Sequence, residues 1–260
     1  MSWARIKAIL LHSYYHTSHS VETWVDLGWF TFIQLGVFGF LASFFAQGNP
    51  EMGRALLLGF LFWEVVRIGQ YCVSITLMWE VWSHSLSTMF ISPLTMEEFF
   101  TSQMISGAIK TLGLVVLLSL TSKFMFGFWI FELGLMSIIY ISLLLLFSYA
   151  MGIFIAGLIV RYGTDIQSLA WGLIFIFQPL SAVYYPVSAL PPALQYVAMI
   201  SPITYVMESA RMQLSGFSPH WNYLLISTFL GLAYFAGSLW FLKAMYLQAR
   251  RNGSFARLGH

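Results

Sequence analysis

Glu64, Arg67 and Lys110 each stand inside a long apolar run. A charge held at mid-membrane depth costs about 2.5–3.5 kcal/mol even on the most lenient insertion scale. Groups in such runs must therefore face protein or water. A spacing of three lets the Glu64 and Arg67 side chains meet on one helical face, which Gln70, Tyr71 and Ser74 extend. Lys110 shares a stripe with Gln103, Ser106 and Gly107. Three uses are open for this set. It can be a salt-bridged network, with Lys110 near the pair or across a subunit boundary. It can be the polar wall of a transport path, whose residual charge of +1 favours anionic or polar cargo. It can couple ions, as in a secondary transporter or channel. Other chemistry is absent. No Gly-Lys pair occurs, so there is no P-loop lysine motif, and there is neither an HExxH pattern nor a nucleophile–base constellation. No catalytic residue is expected, and the chain is not read as an enzyme. His12 and His16 have the i, i+4 spacing that can share a metal, with His19 beyond, but no acid or cysteine stands near them in sequence; no metal site is expected.

The elements that must carry these residues follow from composition. Of 260 residues, 59% are hydrophobic and 8% charged, against about 25% charged in an ordinary soluble domain. So little polar surface cannot cover a water-soluble globule. The pattern predicts a single all-α integral membrane domain over residues 1–260. Spans need about 20 apolar residues each, and six are expected, at about 27–46, 55–78, 101–120, 128–160, 166–185 and 221–242. Residues 121–127 are expected to be a loop. Span four is long enough to tilt or to carry an external extension, and Pro179 should bend span five. Residues 1–19 read as an interfacial helix, with Trp3, Ile6, Leu10 and Tyr14 on one face and Arg5, Lys7 and His12 on the other. The tail from Lys243 reads as loose at its end. The single Cys72 permits no intramolecular disulfide.

Tyr184–Arg211 is too broken to span. Four of the eight prolines, Pro186, Pro191, Pro192 and Pro202, lie in it, and proline both removes a donor and clashes with the preceding turn. Two short helices survive the breaks. One starts at Pro192, with Leu194, Val197 and Ala198 on one side. The other is capped by Ser201, opens at Pro202, and carries Tyr205, Met207 and the Glu208–Arg211 pair. A helix, a break, two short helices and another full helix describe a re-entrant pair at about 186–213. Such backbone is tolerated at membrane depth only against protein or a wet cavity.

The order Pro186, Leu190-Pro191, Leu194-Gln195, Ser201-Pro202-Ile203-Thr204-Tyr205 and Glu208…Arg211 resembles the signature of ABC-2 type exporter membrane subunits. Ser92-Pro93-Leu94-Thr95-Met96-Glu97-Glu98 resembles the SPxxxxE stretch that follows the second span in that family. The resemblance implies a dimer of permease subunits that pairs with separate ATPase subunits. ATP and Mg would then sit in the partner, and this chain would hold no cofactor. It also implies an interfacial helix at the N-terminus and an outer re-entrant gate formed by Pro186, Leu190, Pro191, Pro202, Tyr205, Glu208 and Arg211. The segment 80–92 carries an apolar stripe of Trp82, Leu86, Met89 and Phe90, with Ser83 and His84 turned away, and must end before Pro93. It is either an interfacial seal or, as the resemblance implies, a cytoplasmic coupling helix docking on the ATPase. ATPase contact is accordingly expected at Trp82, His84, Leu86, Met89, Pro93 and Glu97.

Orientation follows from the basic residues. With the N-terminus inside, Arg5, Lys7, Arg161, Lys243, Arg250, Arg251 and Arg257 are cytoplasmic, whereas Arg54, Lys123 and Arg211 are outside. This distribution favours both termini in the cytoplasm of a cell that places the chain in its inner or plasma membrane. Membrane lipids are expected partners, and nucleic acid is not. The cargo implied is an amphipathic small molecule, a lipid or a glycan.

Overall fold

The structure, a computed structural model, describes residues 1–83, 85 and 93–251; no strand occurs among them. The helices are α1 (Trp3–His19), α2 (Val21–Trp24), α3 (Phe30–Ala46), α4 (Pro50–Trp82), α5 (Met96–Phe126), α6 (Met136–Tyr162), α7 (Gln167–Gly172), α8 (Phe177–Leu180), α9 (Pro192–Ala198), α10 (Pro202–Leu214) and α11 (Trp221–Arg251). A π-helical turn, Val25–Trp29, joins α2 to α3.

Helix α4 is the hub. Asn49 caps it by accepting the Glu51 N–H at 3.0 Å, and Pro50 supplies the preset first-turn φ. It runs 33 residues, about 50 Å at 1.5 Å per residue, and is buried on every side by α3, α5, α6 and α10. Its sequence is accordingly apolar nearly all round, as expected of a helix surrounded by protein, apart from the single face of Glu64, Arg67, Gln70 and Ser74. Helices α3 and α11 rim the bundle and expose Phe40, Phe44, Leu225, Phe229 and Trp240.

Small residues let α4 and α6 approach closely. A Cβ at Gly152 would lie 2.7 Å from the Cβ of Val73 and 3.1 Å from the carbonyl oxygen of Gln70. One at Gly69 would fall 2.2 Å from Ser148 Oγ.

Five stretches are long and apolar enough to cross a membrane: Val21–Ala46, Pro50–Trp82, Met96–Phe126, Met136–Leu180 and Trp221–Arg251. The fourth, 45 residues long, folds back on itself. Gly163 takes φ 62°, a conformation side chains resist, and the rings of Phe147 and Phe177 come within 5.2 Å. The limb after the turn is irregular: α7, a 3-10 segment Leu173–Ile176, then α8 with Pro179. Its helical part, Gln167–Leu180, extends only about 21 Å, so the span expected at 166–185 is not one full helix.

Other boundaries also move. The loop expected at 121–127 is helical through Phe126 and closes on Gly127 at φ 72°. The helix expected from Phe128 begins at Met136, after a 3-10 turn Ile130–Leu133, because Gly127 and Gly134 both take positive φ. Helix α11 continues past Lys243 to Arg251. On α1 the buried face is Ile6, Ile9 and Ser13; Trp3 and Tyr14, expected on the apolar stripe, are exposed. The packing partner explains the rotation: α1 lies along α5 and accepts a hydrogen bond from Ser102 Oγ at the Ile6 carbonyl, 3.3 Å away.

Gly152→Ala should lower stability by about 1–3 kcal/mol through overpacking. Gly113→Ala, inside α5 where nothing lies within 4 Å, should instead leave stability unchanged or raise it by up to about 1 kcal/mol. Thermal unfolding of the purified protein in detergent, read by intrinsic fluorescence, checks the contrast.

Candidate functional site

Glu64 and Arg67 form a buried pair. Arg67 Nε donates to Glu64 Oε2 at 2.9 Å and Nη2 to the same oxygen at 2.6 Å. Thr31 of α3 closes the triangle, donating to Glu64 Oε2 at 3.3 Å and receiving a bond from Arg67 Nη2. Glu64 is fully buried, and at that depth only a charge-assisted, multiply bonded partner offsets the lost hydration. Lys110, expected near this pair or across a subunit boundary, donates within the chain to Ser13 Oγ of α1 at 3.2 Å, and Ser13 in turn bonds Ser106 Oγ at 2.9 Å. The three intramembrane charges are thus divided between an α3–α4 site and an α1–α5 seam.

Asp26, on the π-helical turn, accepts a hydrogen bond from Tyr71 at 3.2 Å. It stands where two clefts adjoin. The larger, about 470 Å³, is lined by Val21, Glu22, Val25, Asp26, Trp79, Trp82 and Trp171. The smaller, about 200 Å³, continues past Asp26 and Trp171 to Gln34, Arg67 and Gln70. A separate apolar cleft of about 750 Å³ opens between α6, α8 and α11, walled by Met151, Phe154, Phe177, Tyr234 and Phe241.

After α8 the chain takes the broken course expected from its prolines. Ala182 sits at φ 51°, a left-handed conformation that a Cβ disfavours. Arg211 holds it there: Nη2 donates to the carbonyls of Ala182 and Val183, the latter at 2.7 Å, while Nη1 bonds Glu208 Oε1 at 3.0 Å. Glu208 Oε1 also accepts the Val187 N–H at 2.8 Å. Pro191 and Pro202 flank α9 as its N-cap and as the first residue of α10. Ser201 makes no side-chain cap; its hydroxyl instead accepts from Ser181 at 2.7 Å and ties α8 to α10. On α9 only Ala198 is buried, whereas Leu194 and Val197 are exposed. Tyr205 donates to the Met199 carbonyl at 2.9 Å. Pro186 and Tyr205 line a small cleft with Glu208, and Leu190 packs in a minor core with Val187 and Ala198.

The expected coupling helix at 80–92 is revised at its start. Glu80 and Trp82 end α4, and Ser83 is its C-cap. His84, Leu86 and Met89 lie outside the described residues. Glu97 is exposed, whereas its neighbour Glu98 is buried. Glu98 accepts the Thr95 N–H at 3.1 Å in a capping box, the Ser2 N–H at 2.6 Å, and an ion pair from Arg5 at 2.9 Å. Arg5 also donates to the Pro93 carbonyl. His12 Nδ1 lies 3.6 Å from Glu80. Burial against Trp79 pushes the His16 imidazole below its ordinary pKa, with Glu80 pulling it back up. No group of three or more metal-ligating side chains occurs among the described residues.

Residues 23–215 match the model of the ABC-2 type transporter family. The chain belongs to that family. No curated protein matches it. This ABC-2 permease is therefore the membrane component of a transporter, with several apolar helices long enough to span.

Two residues of the permease site escaped the sequence analysis. Asp26 sits at the edge of an apolar run, where it looks like a boundary. Thr31 has no pattern of its own. Glu98 was quoted within the Ser92–Glu98 stretch, but its capping role, legible in the Thr95-x-x-Glu98 spacing, was not read.

Removing one partner of the Glu64–Arg67 pair should cost about 3–5 kcal/mol. Joint replacement, Glu64→Gln with Arg67→Met, should cost clearly less than the sum of the two single changes. A double-mutant cycle on thermal unfolding measures this. Arg211→Ala should expose the 182–190 segment to proteolysis, and Arg211→Lys should not restore protection, since one ammonium cannot bridge two carbonyls and Glu208 in the guanidinium's planar fork. Limited digestion followed by mass mapping checks it.

Proposed function

We propose that this permease is the transmembrane subunit of an ATP-driven exporter. Two copies would surround a central path and open alternately to either side, each bound to one separate ATPase that holds ATP and Mg. The observation that carries the proposal is the reach of the family match: 23–215 takes in both the segment around Ser92-Pro93 and the broken region through Arg211. Six passes per copy follow if the Met136–Leu180 run crosses twice, which the contact between Phe147 and Phe177 supports. Both termini would lie in the cytoplasm of a cell's inner or plasma membrane. ATP-driven motion would enter through Trp82 and the residues that follow it. The α9–α10 pair would narrow the outer end, held by Glu208 and Arg211. Cargo is a small amphipathic molecule, a lipid or a glycan in this proposal. The 750 Å³ apolar cleft and the indole-lined cleft beside Asp26 favour the amphipathic small molecule.

Affinity purification from the native membrane in mild detergent should bring down an ATP-hydrolysing subunit, and Trp82→Ala with Leu86→Asp should abolish that association. A folded homomeric protein without any ATPase would overturn the exporter assignment.

A further inference from the structure

We propose that the cleft bounded by Glu22 and Asp26, by Trp79 and Trp82, and by Trp171 recognises a cationic group on the transported molecule: a quaternary or protonated amine, or a comparable diffuse organic cation. This rests on the transport reading above and names the class of cargo.

The walls are the first part of the argument. The rings of Trp79 and Trp82 stand 4.8 Å apart at 82°, so they form two sides of a corner. Trp171 supplies a third indole, set edge-to-face against Tyr71 at 5.5 Å. All three line the same cleft of about 470 Å³. Indole is the aromatic ring that attracts a cation most strongly, through the negative potential of its face. Apolar lining alone would select for shape; stacked indoles without nearby charge would serve a sugar as well.

Charge decides between these. Glu22 on α2 and Asp26 on the π-helical turn that follows it lie four apart, and both line the cleft. Like charges at that spacing repel, yet no lysine or arginine is among the described residues lining this cleft. The guanidinium in the adjoining cleft, Arg67, is already matched by Glu64 at 2.6 Å. His16 lies behind Trp79, its ring 5.8 Å from the indole, and burial favours its neutral form. Arg67 also acts on Asp26 from the adjoining cleft, and the formal charge of the described lining itself, two carboxylates and no base, is negative. This reverses the +1 residual charge expected from Glu64, Arg67 and Lys110, because Lys110 turns to Ser13 and Asp26 joins the site. Tyr71 donates to Asp26 Oδ2 and holds the carboxylate where the indoles converge. The π-helical turn bearing Asp26 is a rare local geometry that is frequent at functional sites.

The test is equilibrium dialysis of the purified chain in uncharged detergent micelles, with protein-free micelles as blank. The probe is tetraphenylphosphonium, and tetraphenylborate is the control of like shape and opposite charge. Saturable binding of the cation, at least about tenfold tighter than the anion, is expected. Asp26→Asn and Trp171→Leu should each weaken it by about tenfold, in line with a desolvated cation–π contact. Glu22→Gln, at an exposed position, should weaken it about twofold to threefold. Should Asp26→Asn fail to fold, Glu22→Gln and Trp171→Leu carry the test. Equal affinity for the two ions, or cation binding unchanged in variants that unfold at the wild-type temperature, overturns the proposal. The measurement needs no ATPase. Cation binding without a copurifying ATPase would leave the site standing and remove the exporter assignment, and the opposite pair of results would do the reverse.

Discussion

A guanidinium carries five N–H donors in a fixed plane, and in this chain two of them stand in for water where water is excluded. Arg67 satisfies a carboxylate in the middle of the hub helix. Arg211 satisfies two carbonyls freed where the chain abandons regular helix. Both answer one constraint: a polar group buried away from water must find its partner inside the protein. Helix α4 can be buried on every side only because its two central charges meet each other and Thr31. The proline-broken region can lie against α4 and α6 only because its loose backbone ends on a side chain from the following helix.

Those two arginines also set the division of the molecule. Around Arg67 the helices are long, closely packed and nearly free of polar side chains except along one seam. Around Arg211 the elements are short and held by individual hydrogen bonds, as between Ser181 and Ser201 or Tyr205 and Met199. Stability of the first kind is distributed over many contacts. Stability of the second kind is concentrated in a few, the pattern found in regions that open locally before the rest of a fold does.

Much of this was legible in the sequence, for reasons that differ by residue. The Glu64–Arg67 pair was readable because helical spacing and the cost of an unpaired charge leave few alternatives. The broken region was readable because Pro186, Pro191, Pro192 and Pro202 exclude a straight helix. The contact of Lys110 with Ser13 was not legible, because Ser13 is nearly a hundred positions away on an element whose buried face was read about one residue off. The loop expected at 121–127 was lost to Phe126 because polar residues such as Ser122 and Lys123 end a hydropathy run without ending a helix; Gly127, at positive φ, does that. Asp26 went unread because the sequence carries no mark of a π-helical turn.

Glu98 binds the Ser2 amide, the Thr95 amide and the Arg5 guanidinium with a single carboxylate. The start of α5, the strand of chain before it and the start of α1 are consequently one mechanical piece. Chain leaving α4 at Ser83 re-enters that piece at Pro93, whose carbonyl Arg5 also grips. The first turns of α1 and α5 are thus latched at one carboxylate, so that neither helix end can shift without carrying the other with it.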